Sequence, residues 1–172
     1  MRAVRPFAWV FTALLLTAAS AAAQTTTVIL VRHAEKAAAP ENDPPLTDAG
    51  RARAEAIREL LKDAGISVIY STPTARTVQT AQPLATAIGV QITETPIRGG
   101  LQAYLNALAA KIRSENRGQT VLVVGHSNTV PQTVAALGAP AVPEIADPEY
   151  DGLYIVTIPA EGPARVIRAK QN

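Results

Sequence analysis

Two four-residue runs, Val28-Ile29-Leu30-Val31 and Val121-Leu122-Val123-Val124, are apolar at every position. A strand with one wet face alternates apolar and polar residues, so an unbroken β-rich run marks a strand covered on both faces. Such strands occupy the middle of a sheet, with helices packed above and below. The segments between them carry helical periodicity. Ala52, Ala56, Ile57, Leu60, Leu61 and Ala64 share one face of a helix that Thr47 caps and Gly65 stops. Thr72-Pro73 opens a second helix, with Thr at the cap and Pro in the first turn. Leu101, Tyr104, Leu105, Leu108, Ala109 and Ile112 mark a third, and residues 129–137 form a fourth. Shorter strands are read at 67–70, 90–93, 153–158 and 165–169. The alternation predicts an α/β fold, a three-layer sandwich whose mainly parallel central sheet is flanked by helices. The Pro-rich, polar stretch 37–45 reads as a flap.

The amino terminus stands apart from this pattern. Arg2 and Arg5 precede an apolar stretch from Phe7 to Leu16, and small residues follow to Ala23. These are the three parts of a secretory signal peptide over residues 1–23, cleaved after Ala23. An uncleaved anchor is the alternative, but the apolar core is shorter than the ~20 residues of a spanning helix. There is no twin arginine and no cysteine. The expectation is therefore a periplasmic or secreted protein with one domain over residues 24–172 and no stable membrane insertion after cleavage. The formal charge of +2 disappears with Arg2 and Arg5, leaving 14 basic residues against 14 acidic ones. Nothing in that balance recommends nucleic acid or a membrane surface as partner. Lack of cysteine also excludes disulfides, thiolate nucleophiles and thiolate metal sites.

The chain contains two histidines, and each directly follows one of the two apolar runs: Arg32-His33 after the first, Gly125-His126 after the second. Ligands of open α/β sheets bind at the carboxyl ends of the strands, so both imidazoles are delivered to the edge where a site is expected. Arg32 is a full charge at the end of a buried strand, costly there unless something anionic meets it. Two readings are open: a salt bridge to Glu35 or Asp48, or a bidentate grip on a phosphate. Arg76 favours the second, because it falls in the first turns of the next helix, where free N–H groups and the macrodipole already attract an anion.

Four segments together resemble the histidine phosphatase (phosphoglycerate-mutase-like) superfamily across the mature chain, in order. They are Val31-Arg32-His33-Ala34-Glu35-Lys36, Pro45-Leu46-Thr47-Asp48-Ala49-Gly50, Ser71 to Ala81 with Arg76 inside it, and Gly125-His126-Ser127-Asn128. The resemblance implies that His33 is the phosphate-accepting nucleophile, and that Arg32, Arg76 and His126 bind the phosphoryl oxygens. It implies a phosphomonoesterase that forms and then hydrolyses a phosphohistidine, with no metal and no cofactor. The scattered acidic residues also offer no carboxylate cluster for a hard cation. Two positions depart from the family pattern: Ala34 stands where glycine is commonest, and the general acid is displaced. Glu94, before Gly99-Gly100-Leu101, is the candidate acid, one residue further from the glycines than the usual spacing. Glu35 and Asp43 are its rivals, and some members of the family have no dedicated acid. Ser127 and Asn128 either orient His126 or cap the next helix.

The expected substrate is a small-molecule or glycan phosphate ester. A phosphomutase is the nearest alternative, but this short chain lacks the extra covering segments of family mutases. A phosphate-binding module without catalysis is the alternative from another class.

Overall fold

Successive residues of a strand point to opposite faces of its sheet, and the first strand here, β1 (Thr26–Arg32), buries both. A computed structural model describes residues 25–171; the leader read over residues 1–23 lies outside them. After β1 come α1 (Asp48–Leu61), β2 (Ile66–Ser71), α2 (Ala75–Ile88), β3 (Ile92–Glu94) and α3 (Leu101–Glu115). The chain then forms β4 (Thr120–Gly125), α4 (Thr129–Ala136), β5 (Gly152–Ile158) and β6 (Arg165–Lys170). The six strands make one sheet in the order β3-β2-β4-β1-β5-β6. β1, β2, β3 and β4 run parallel, whereas β5 is antiparallel to β1 and β6 to β5.

The unalternating runs behave as their composition requires. Val28, Leu30, Val121 and Val123 pack on one face against Leu105, Leu108 and Ile112 of α3 and Val130 and Val134 of α4. Ile29, Val31, Leu122 and Val124 pack on the other against Ile57 and Leu61 of α1 and Leu84 of α2. Fully burying an aliphatic side chain is worth about 1.5–3 kcal/mol, so eight such positions fix these two strands at the centre of the sheet. The expected three-layer α/β sandwich is the fold observed. No helix among the described residues is long and apolar enough to cross a membrane.

Local punctuation follows the sequence in one place and departs from it in another. Thr47 caps α1, its Oγ1 accepting from the Gly50 amide at 3.1 Å, and the helix ends at Leu61, short of Ala64. The second helix begins at Ala75, not at Thr72-Pro73. Thr72 Oγ1 lies 3.0 Å from Thr77 Oγ1 and 2.9 Å from His126 Nε2, so it has no role as a cap. Tertiary partners outcompeted the local capping preference. The stretch 37–45 forms no helix or strand, and Lys36 and Leu46 pair across its base as an isolated bridge.

Gly50 shows how tightly the chain leaving β1 is packed. A Cβ built there would stand 2.2 Å from the carbonyl oxygen of Glu35, backbone against backbone. Helix propensity alone makes Gly50→Ala stabilising by about 1 kcal/mol. The clash reverses the sign, and the expected result is a net loss of about 1–3 kcal/mol, read as a lower urea midpoint at unchanged m-value.

Candidate active site

The register of the central pair builds the site. Arg32 lies opposite Gly125 in the parallel β1–β4 ladder, and the His33 amide continues it by donating to the Gly125 carbonyl at 2.9 Å. The next side chains are therefore neighbours, and the two imidazole rings meet edge-on with centroids 5.4 Å apart and planes at 68°. Gly125 permits the sharp exit from β4, since a Cβ there would lie 2.6 Å from Thr129 Oγ1 and 3.2 Å from Val130 Cγ2.

Each ring is oriented by a different partner. His33 Nδ1 is 2.8 Å from the carbonyl oxygen of Ala34, an acceptor only, so Nδ1 carries the proton and the lone pair is on Nε2. Ala34 is itself fully buried among Leu46 and Ala54, so its methyl group fits where a glycine is usual. Its amide donates to Thr80 Oγ1, which donates onward to the Arg76 carbonyl. His126 Nε2 faces Thr72 Oγ1, and Thr77 Oγ1 donates to the Thr72 carbonyl at 2.7 Å. With the Thr77 proton so directed, the Thr72 hydroxyl donates to Thr77 and accepts from His126 Nε2–H. Burial is the main cause that lowers both histidines to a pKa of about 4. Arg76 and Arg32 add to it for each ring, and His126 adds to it for His33, against the Ala34 carbonyl, which raises it. Both imidazoles are neutral at pH 7.

The two arginines flank this pair in different states. Arg32 is 5% exposed, and its Nη1 donates to the carbonyls of Ala146, Asp147 and Glu149 at 2.9, 2.9 and 3.1 Å. It pairs with neither Glu35 nor Asp48; its carboxylate neighbour is Asp147, at 3.4 Å. Arg76, near the start of α2, stands 3.9 Å from Asp43, whose carboxylate also accepts from the Ala75 amide at 2.8 Å. The Nε atoms of both arginines are buried and have no hydrogen-bond partner among the described residues. A buried donor left unpaired costs about 1–3 kcal/mol, and an oxyanion in contact with such a donor would relieve it.

The carboxylates are dispersed. Glu35 is gripped by Arg53 through contacts of 2.7 to 3.0 Å, and that bond holds its pKa below the usual carboxylate range. Glu94 ends β3 beside Ser71, exposed, lining a cleft with Val78 and Gln82 and touching neither histidine. Asp43 is the one of the three in contact with a pocket arginine. Ser127 and Asn128 make no side-chain cap to α4. No three His, Asp or Glu side chains gather to hold a metal among the described residues. A groove of about 750 Å³ between α1 and α2, lined by Ala54, Arg58 and Pro83 among others, contains none of the four residues. Sequence reasoning assigned no role to Thr77 or Thr80, although both lie in the segment Ser71 to Ala81, and did not single out Tyr150, whose ring centroid lies 6.1 Å from that of His33. The threonines had a signal, since so many in one helix is unusual for a β-branched residue.

Residues 28–97, which include Arg32, His33, Arg76 and Glu94, match the family model described as histidine phosphatase superfamily (branch 1). No curated protein matches the chain. Among solved structures, the protein histidine phosphatase SixA complexed with tungstate is 21% identical with a TM-score of 0.68, covering 84% of this chain and 97% of its own. An Agrobacterium tumefaciens protein named as a phosphohistidine phosphatase SixA is 29% identical with a TM-score of 0.60, covering 86% and 99%. A mycobacterial glucosyl-3-phosphoglycerate phosphatase, 16% identical with a TM-score of 0.60, covers 86% and 99%. The first and third are likenesses of fold. Together these findings support the superfamily that the motifs resemble.

The histidines link the site to stability. An imidazole depressed from 6.5 to about 4 takes up its proton more readily unfolded than folded. Their contribution is complete above pH 6.5 and is lost as the pH falls from there to about 4. The urea midpoint should decline through that window, and His126→Gln should flatten the decline.

Proposed function

From the histidine phosphatase superfamily that residues 28–97 match, we propose that this protein is a phosphomonoesterase working through a phosphohistidine on His33. The observation that carries the reading is the pair of neutral imidazoles meeting edge-on, with two arginines near enough to act on both rings and each keeping an unpaired buried donor. A nucleophile must hold a free lone pair, and the Ala34 carbonyl leaves that lone pair on His33 Nε2. In this reading Nε2 attacks phosphorus and the ester oxygen departs with the electron pair of its bond. The phosphoryl group rests on His33 until water attacks it, releasing inorganic phosphate and restoring the imidazole. Charge on the equatorial oxygens is met by Arg32 and Arg76, fixed before the substrate arrives; His126, whose Nε2–H is given to Thr72, joins them through Nδ1 once the bound anion draws a proton onto that nitrogen. These fixed donors do the work that a metal clamp does elsewhere, so the reading needs no metal and no cofactor. Glu94 is the proposed donor of the proton to the leaving oxygen, moving in from the end of β3. Glu35, held ionised by Arg53, is the poorer acid. The leader over residues 1–23 supports export and a substrate met in the periplasm or outside the cell: a small-molecule or glycan phosphate ester.

His33→Ala should abolish turnover of nitrophenyl phosphate with the fold intact by circular dichroism, and the wild type should yield acid-labile, base-stable phosphate on His33. Ordinary turnover in the variant would defeat the mechanism. For the acid, Glu94→Gln should cost ~10²–10⁴ on alkyl phosphates, whose alkoxide needs protonation, and much less on nitrophenyl phosphate. Unchanged alkyl phosphate turnover would remove Glu94 from the chemistry.

A further inference from the structure

Tyr150 belongs to none of the sequence motifs, yet it meets both halves of the site. Its ring centroid is 6.1 Å from that of His33, with planes at 52°, and the Arg32 guanidinium carbon lies 4.3 Å over its face. The loop that carries it is tied from two sides. From within, Arg32 Nη1 holds the carbonyls of Ala146, Asp147 and Glu149. From the sheet edge, Arg168 of β6 pairs with the Glu149 carboxylate and Lys170 with Asp151 at 3.2 Å. The residues on either side of Tyr150 are therefore both anchored, and the half-buried ring is placed before any ligand binds. Little ordering cost remains for it to meet on binding. One face is taken by the guanidinium, and the ring keeps partial exposure to solvent.

A phosphoryl group placed for in-line attack carries its ester oxygen on the side away from the nucleophile, about 5 Å from Nε2. A ring centred 6.1 Å from His33 is within reach of whatever that oxygen bears. An aryl group on that oxygen presents a flat ring, and a flat ring suits a fixed aromatic wall.

We propose that Tyr150 is a specificity-determining residue that stacks on the leaving group, and that the preferred substrates are monoesters of aromatic alcohols. This rests on the reading of the site as a phosphate-ester pocket. Calorimetric titration of the full chain with phenylphosphonate and methylphosphonate, two unreactive probes that differ in the ring, tests it. The wild type and Tyr150→Phe should bind phenylphosphonate about five- to tenfold more tightly. Tyr150→Ala should bind the two probes with equal affinity. Equal affinities in the wild type, a preference that survives Tyr150→Ala, or an equal loss of both probes would each overturn the assignment. Binding of neither probe would be a separate result, removing the phosphate site itself and the role of Tyr150 with it.

Discussion

Parallel pairing of β1 with β4, in the register that sets Arg32 opposite Gly125, is the constraint from which the rest of the site follows. The register is fixed by burial on both faces. A slip of one residue would exchange the residues facing α1 and α2 for those facing α3 and α4, and every packed contact would be remade. Held there, two strands far apart in sequence end at the same height, and the residue after each is a histidine. The 5.4 Å between the rings is a property of the ladder before it is a property of the side chains.

Around that pair the protein places charges where their cost is met in different ways. Arg32 is nearly as buried as the core, and three backbone carbonyls and a carboxylate offset the loss of water. Those bonds also fasten the loop before β5 to the end of β1, so the guanidinium that ends β1 also holds the loop that carries Tyr150. Arg76 keeps partial access to solvent and a weaker partner in Asp43. The histidines, met only by one carbonyl and one hydroxyl, stay neutral, which is the state a nucleophilic imidazole requires.

Threonine hydroxyls explain how a short helix start can help orient the two imidazole rings. Thr72, Thr77 and Thr80 link the His126 ring, the first turn of α2 and the amide following His33. In sequence, Thr72-Pro73 is indistinguishable from a helix cap, and local chemistry alone predicts one. Only when β2 ends beside β4 does His126 arrive as a better partner for that hydroxyl, moving the helix start to Ala75.

By itself the sequence determined the layers, the central strands, the α1 cap and the two histidines at strand ends. These depend on hydrophobic periodicity and on residues adjacent in the chain, which a single sequence displays directly. Tertiary structure decided what depends on contacts between distant segments. It bound Glu35 to Arg53, set the Arg32 side chain among the carbonyls of residues 146–149, and brought Tyr150 beside His33. Tyr150 lies over a hundred residues from His33 in a polar loop with no periodicity to read. Its position is set by ion pairs to β6 and by a guanidinium at the end of β1, and such contacts exist only once the sheet has formed.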